Sequence, residues 1–248
     1  MANIDAILLD LDDTLLGNDM DVFLRGYFPL LGAYAEPVID GDKFLPELLL
    51  ATQAVINNTD HQISNSDVFW NIFCTRNGLD RDEVEPFFAE FYRSQFGQLR
   101  KSVTRRPEAA EVVRWCMDQG LKVVVATNPL FPLDAIEQRL EWAGVPVDVF
   151  DFDLVTGYEN MHSAKPQAAY YREILTEIDV DAERALMVGD DWHNDVVPAS
   201  QLGLHTFWIT DSESSVPDET VLPDGRGTLA DLYHRLKDGW LVGKYERS

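Results

Sequence analysis

The sequence predicts an α/β fold: a Rossmannoid parallel sheet covered by helices on both faces, with an all-helical insertion. Three observations carry this reading. Short apolar runs alternate with stretches of helical spacing, the pattern of βαβ units. From about Asn18 to Lys101 that alternation stops, and only helical patterns appear. The chain has 248 residues, 46% of them hydrophobic, which suits one large domain or a core plus an insertion.

The elements follow in order. Ala6-Ile7-Leu8-Leu9 is a short apolar run cut off by Asp10 and reads as a buried strand. The insertion holds helical segments at Val22–Ala35, Lys43–Ile56, Asp67–Arg76 and Arg81–Leu99. Asp80 with Glu83 forms a helix-start signal, and Asn77-Gly78 a stop for the helix before it. Loops near 15–20 and 101–107 serve as hinges. Pro107 suits the first turn of a helix running to Gln119, where Gly120 ends it. Leu121–Ala126 is a strand, and Leu133–Ala143 a helix stopped by Gly144. Val149–Val155 is a third strand, Ala168–Ile178 a helix, Ala185–Val188 a fourth strand and His205–Ile209 a fifth. A polar loop spans 211–227. Leu229, Leu232, Tyr233 and Leu236 mark an amphipathic C-terminal helix. The expected division is a core of 1–17 and 102–248 with an inserted helical unit of 18–101.

Composition narrows function. Twenty Lys+Arg against 43 Asp+Glu give a formal charge of −23, which repels nucleic acid and anionic lipid. Cys74 and Cys116 are too few for a disulfide framework or a four-cysteine metal site, and read as reduced, packed thiols. The start Met-Ala-Asn-Ile-Asp carries no basic segment, and no apolar run approaches the ~20 residues of a membrane span. The expectation is a cytoplasmic protein, monomer or homodimer.

Chemistry concentrates at strand ends. Asp10-Leu11-Asp12-Asp13-Thr14 places three carboxylates in four positions. Such a cluster is either a solvated acidic turn or a site held by a cation. In extended chain, Asp10 and Asp12 face one way. Thr127 and Asn128 end the second strand, alone no more than a turn signal. Gly189-Asp190-Asp191-Trp192-His193-Asn194-Asp195 forms a second acidic cluster. Lys165-Pro166 precedes a helix. Ligands of open parallel sheets bind at the strands' carboxyl ends, where these groups converge. Clustered carboxylates suit a hard divalent ion such as Mg²⁺, and a hydroxyl and an ammonium beside it suit a phosphoryl group.

The motifs resemble those of the haloacid dehalogenase superfamily, in its phosphatase branch. Asp10-Leu11-Asp12-Asp13-Thr14 matches its Asp-x-Asp-x-Thr motif. Thr127 matches the second motif, Lys165 the third in its Lys-Pro form, and Gly189-Asp190 with Asp195 the fourth. The helical insertion resembles the family's C1-type cap. The resemblance implies Asp10 as nucleophile, Asp12 as general acid and base, and Thr14 as a residue that orients the loop. Thr127, Asn128 and Lys165 would bind the phosphoryl group. Mg²⁺ would be held by Asp10, the Asp12 carbonyl and Asp190. Asp195 would bind it through water or hold Lys165 instead. Asp191 and Asn194 are spare oxygen ligands in the same loop.

The implied activity is Mg²⁺-dependent hydrolysis of a small phosphorylated metabolite: a sugar phosphate, a phosphoglycolate-like acid or a nucleoside monophosphate. Asp12 argues against dehalogenation, which has no leaving alcohol to protonate, and Thr14 argues against a sugar-phosphate mutase. A Schiff-base phosphonatase would need Lys43. A phospho-accepting binding module is the rival of another class. Within the cap, Arg25, Arg76, Arg93 and Arg100 are candidates to meet a second anionic group. Phe23, Tyr27, Phe69, Trp70, Phe87, Phe88 and Tyr92 read as the cap's own core. His61 and His193 read as solvated or structurally bonded.

Overall fold

A computed structural model describes residues 4–210, 216–217 and 220–240. Met1 to Asn3, part of the polar loop at 211–227 and the last eight positions lie outside the described residues.

The core is a six-stranded, wholly parallel sheet. Its strands are β1 (Ala6–Leu9), β4 (Lys122–Val125), β5 (Leu154–Val155), β6 (Ala185–Gly189), β7 (His205–Ile209) and β8 (Gly225–Gly227), in the order β5-β4-β1-β6-β7-β8. β1 is central, pairing Leu9 with Val125 on one side and with Val188 on the other. Its four residues are fully buried, as a strand covered on both faces must be. Ile7 and Leu9 join one apolar cluster, while Ala6 and Leu8 join the one on the opposite face. Helices α5 (Pro107–Asp118), α6 (Leu133–Ala143), α7 (Ala168–Glu177), α8 (Val197–Leu202) and α9 (Leu229–Lys237) flank the sheet.

Between β1 and β4 lie α1 (Met20–Ala35), α2 (Gly41–Ile56), α3 (Asn65–Asn77) and α4 (Arg81–Ser94). Asp19, Asp40, Ser64 and Asp80 cap their first turns with side-chain oxygens. Their buried aromatics belong to the same apolar cluster as one face of the sheet. The first turn of α3 is fixed to a core loop: Asn65 N donates to Met161 O at 2.8 Å and Ser66 N to Tyr158 O at 2.7 Å.

Four expectations are corrected. The hinges are not plain loops. Leu16–Gly17 (β2) and Thr104–Arg105 (β3) form a short antiparallel ribbon, and a Cβ at Gly17 would lie 3.0 Å from Thr104 O. The strand expected over 149–155 reduces to β5, because Val149 N and Phe150 N both turn back to Pro146 O. The helix expected to reach Leu99 stops at Ser94, whose hydroxyl bonds Glu90 O, and the chain tightens to a 3₁₀ helix over Phe96–Ser102. β8 lies within the expected polar loop. Among the described residues no helix is long and apolar enough to cross a membrane, and both cysteines are buried and free.

Candidate active site

The strand ends of β1, β4 and β6 deliver the motif residues to one spot. Asp10 follows β1, with its N–H on Val188 O at 2.9 Å, so the sheet ladder itself sets its position. Lys165, only 3% exposed, donates to Asp10 Oδ1 at 2.8 Å and to Asp195 Oδ1 at 2.6 Å. Asp10, Asp190 and Asp195 each bring a carboxylate oxygen within 4.8 Å of the others. Thr14 is buried and donates to Asp190 Oδ1 at 3.4 Å.

Three carboxylates around one ammonium leave an excess of negative charge in a site largely removed from water. Burial, with Asp10 and Asp195 as neighbours, pushes Asp190 up to about 8. Burial pushes Asp195 up to about 7, although Lys165 opposes it. Lys165 is driven down by its own burial, yet Asp10 and Asp195 together hold it well above its ordinary value. An all-oxygen donor set with surplus charge fits a hard divalent cation.

Asp12 diverges from this cluster. Its carboxylate accepts from Asn18 Nδ2 at 2.6 Å and pairs with Arg139 Nη2. The resemblance assigns its carbonyl, not its carboxylate, to the metal, and the carboxylate stands outside the cluster of Asp10, Asp190 and Asp195. Arg139 was not among the expected site residues. It lies on α6, fully buried, with its guanidinium 5.3 Å from the ring centres of both Phe23 and Phe131. Burial lowers it to about 10, against the pull of Asp10, so it remains cationic near neutrality. The sequence does hold a signal for it: Arg139 occupies the buried stripe of α6 with Ala135, Ile136, Leu140 and Ala143.

The turn after β6 separates the acidic residues that sequence left unranked. Asp191 accepts from the N–H groups of His193 and Asn194 at 2.8 and 3.0 Å, and from Asn194 Nδ2 at 2.7 Å. It caps the single π-helical turn Trp192–Val196. That turn directs Asp195 inward, where its Oδ2 accepts Asp191 N at 3.1 Å. Asp195 therefore stands in the carboxylate cluster and also holds Lys165. His193 and His61 are exposed.

Thr127 is buried at the end of the β4 segment, and its carbonyl accepts from the hydroxyls of Thr156 and Tyr170, each at 2.8 Å. Asn128 Oδ1 is buried and has no hydrogen-bond partner. Both residues line a cavity of about 720 Å³ that runs from Asp10, Lys165 and Asp190 up between α1, α2 and α3. Tyr27, Phe69, Trp70, Phe88 and Tyr92 line it as well, so these rings serve as cavity lining besides packing the helices. The cap arginines are placed otherwise. Arg25, Arg76, Arg93 and Arg100 are exposed and none lines the cavity, nor does the exposed Lys43. Arg76 is paired with Glu47 and Arg93 with Glu90.

This arrangement is shared. Residues 4–203 match the haloacid dehalogenase-like hydrolase family. The chain belongs to the haloacid dehalogenase-like hydrolases. Its curated relatives set it with their phosphatase branch. A ribulose-1,5-bisphosphate 5-phosphatase of Halopiger xanaduensis is 31% identical over 130 residues, and the match spans about half of each chain (52%). The pyrophosphatase PpaX of Bacillus cereus is 25% identical over 207 residues, 84% of this chain and 83% of that one. Among solved structures, a HAD phosphatase from Thermococcus onnurineus superposes with a TM-score of 0.58 at 20% identity, covering 94% of this chain and 98% of that one. A 2-haloacid dehalogenase from Pseudomonas syringae gives 0.61 at 21% identity, covering 95% and 99%. At these identities the two structures share the fold.

Proposed function

We propose that this hydrolase cleaves phosphomonoesters of small metabolites, with Mg²⁺, through an aspartyl-phosphate on Asp10. The observation that carries the reading is the division of labour between Asp10 and Asp12. Asp10 shares Lys165 with Asp195 inside the carboxylate cluster, while Asp12 carries its own cation, Arg139, outside it. One carboxylate is set beside a phosphoryl-binding ammonium, and the other is set apart to handle a proton.

In the first step an Asp10 oxygen forms a bond to phosphorus as the bond to the leaving alcohol breaks. Asp12 enters this step protonated on Oδ2, since the contacts of Asn18 and Arg139 both go to Oδ1, and gives that proton to the alcohol oxygen. In the second step Asp12 takes a proton from water. The water oxygen bonds to phosphorus, Asp10 is released, and inorganic phosphate leaves. Thr127, Asn128 and Lys165 bind the phosphoryl oxygens and hold them in line. When bound, Mg²⁺ at Asp10, the Asp12 carbonyl, Asp190 and Asp195 neutralises charge that would otherwise repel an anionic nucleophile from an anionic phosphate. Residues 18–101 act as a cap over the core of 1–17 and 102–248, excluding water from the reacting groups. The phosphatase names of the curated relatives support this reading. A cytoplasmic location fits two free, buried cysteines.

The test is phosphate release from a panel of phosphorylated metabolites with Mg²⁺. Turnover by the wild type that falls at least ~10³-fold in Asp10→Asn is expected. Undiminished turnover in the variant removes Asp10 as nucleophile. No release by the wild type from any ester moves the reading to a phospho-accepting module.

A further inference from the structure

The cavity above the phosphoryl site has a composition that the motifs do not specify. α1 contributes Leu24, Phe28 and Leu31, and α2 contributes Phe44, Leu48 and Leu49. Its polar side chains at this end bond one another or their own helix. The Tyr27 and Tyr92 hydroxyls lie 2.7 Å apart and bond each other. Trp70 Nε1 donates to the Tyr158 hydroxyl at 3.2 Å, and the Thr52 hydroxyl to its own helix at Leu48 O, 2.9 Å. Tyr27 and Tyr92 are pushed up in pKa chiefly by burial, so both remain neutral.

Charge is as informative. Among the described residues Lys165 is the only cationic side chain lining the cavity, and it belongs to the phosphoryl end. Asp19 and Asp21 also line it. A second phosphate or a carboxylate on the substrate would meet no cation there, and burying an unpaired charge is costly. A sugar would leave most of its hydroxyls facing hydrocarbon.

From these observations we infer that the substrate is a phosphomonoester of an uncharged, apolar alcohol, with an alkyl, alkenyl or aryl chain that fills the space between α1, α2 and α3. This rests on the phosphomonoesterase reading and narrows it. The volume is that of a drug-sized ligand, which leaves room for a chain well beyond a few carbons. The Lys165 and carboxylate end fixes the phosphoryl group, and the apolar end selects by length.

The test is a series of n-alkyl phosphates, from ethyl to octyl, given to the full-length protein with Mg²⁺. kcat/KM is expected to rise about fourfold for each added methylene until the cavity is filled. The same chains ending in a carboxylate or a second phosphate are expected to lose that gain. A flat series, or a preference for the terminal anion, overturns the inference. Leu48→Arg places a cation in the apolar end and is expected to favour the terminal anion over the plain chain. Unchanged discrimination in a folded Leu48→Arg protein counts against the inference.

Calorimetry of n-alkylphosphonates binding to the wild-type protein with Mg²⁺ separates this inference from the catalytic reading. Affinity that rises with chain length, with a heat-capacity change that grows more negative, supports the apolar site even without turnover. Turnover of esters with length-independent phosphonate affinity keeps the phosphatase and refutes the apolar site.

Discussion

Arg139 is the residue whose placement says most about catalysis. A fully buried guanidinium is costly to desolvate unless it is paired, and this one faces the carboxylate of Asp12 and two aromatic rings. It is a positioning residue: it holds the proposed general acid and lies outside the cavity lining. Arg139→Met keeps much of the packing volume and removes the pairing. The expected result is a fall in kcat of about 10²-fold on alkyl phosphates, whose leaving group needs a proton, with KM little changed. On p-nitrophenyl phosphate, whose leaving group is stable as an anion, the fall should be about tenfold or less. Arg139→Lys should recover part of the loss. Equal losses on both esters would make Arg139 purely structural. The motif carboxylates were legible as acidic clusters directly after apolar runs, whereas Thr127 and Lys165, alone a turn and a solvated lysine, became legible only in the constellation and the family resemblance. Arg139 was not, because its partner lies 127 positions away in sequence. An arginine on a surface helix also ordinarily reads as solvated, and only its place on the buried stripe of α6 marks it out.

At the level of elements, the end of β6 and the π-helical turn after it form one device. Gly189 is the last residue of β6, and a Cβ there would overlap the Asp195 side chain. The glycine is required by this close approach, since its φ is not in the left-handed region. Gly189→Ala is expected to push Asp195 away, loosen Lys165 and raise the Mg²⁺ concentration needed for half-maximal activity by at least about tenfold. The accompanying loss of stability should be about 1–3 kcal/mol, the range for overpacking, read by urea unfolding. An unchanged Mg²⁺ requirement would show that Asp195 contributes nothing to the cation site. The elements that carry this device were legible: α5, α6, α7, β1, β6 and β7 lie where apolar periodicity placed them, to within a residue or two at their ends. What periodicity did not resolve are the short pieces. β2, β3 and β8 have two or three residues each, too few to show an alternation, and their existence depends on partners along the chain, while β5 was read as a strand but with its start placed too early.

Across the whole molecule, the acidic cluster couples folding to pH and, through the proposed cation site, to Mg²⁺. Asp190 and Asp195 have folded-state values raised to about 8 and about 7. Stability from a carboxyl raised above its unfolded value is fully present at pH below that unfolded value, and is lost as pH rises through the folded one. Cation-free protein should therefore lose stability from about pH 4, the ordinary carboxyl value, up to about pH 8, above which both groups are ionised in the folded protein too. A divalent cation would bind the ionised forms and displace their protons, so the stabilisation by Mg²⁺ should grow as pH rises through the folded values of about 7 and about 8. Thermal unfolding with and without Mg²⁺ checks both signs, and Asp190→Asn should flatten the cation-free fall. A cation-free protein that gains stability across that window would contradict the arrangement. The size and acidity of the chain gave no hint of this coupling. A net charge of −23 is a sum over the molecule, whereas the coupling comes from three carboxylates brought together from positions 10, 190 and 195.

The central claim is that Asp10 is phosphorylated during turnover. The direct measurement is borohydride reduction of enzyme quenched while it hydrolyses an ester, followed by mass spectrometry of the peptide that contains residue 10. Reduction of an acyl phosphate there converts Asp10 to homoserine, and the account predicts that product at position 10, dependent on substrate and absent from Asp10→Asn. Efficient ester hydrolysis with Asp10 recovered unreduced, or with homoserine at another aspartate, would contradict it.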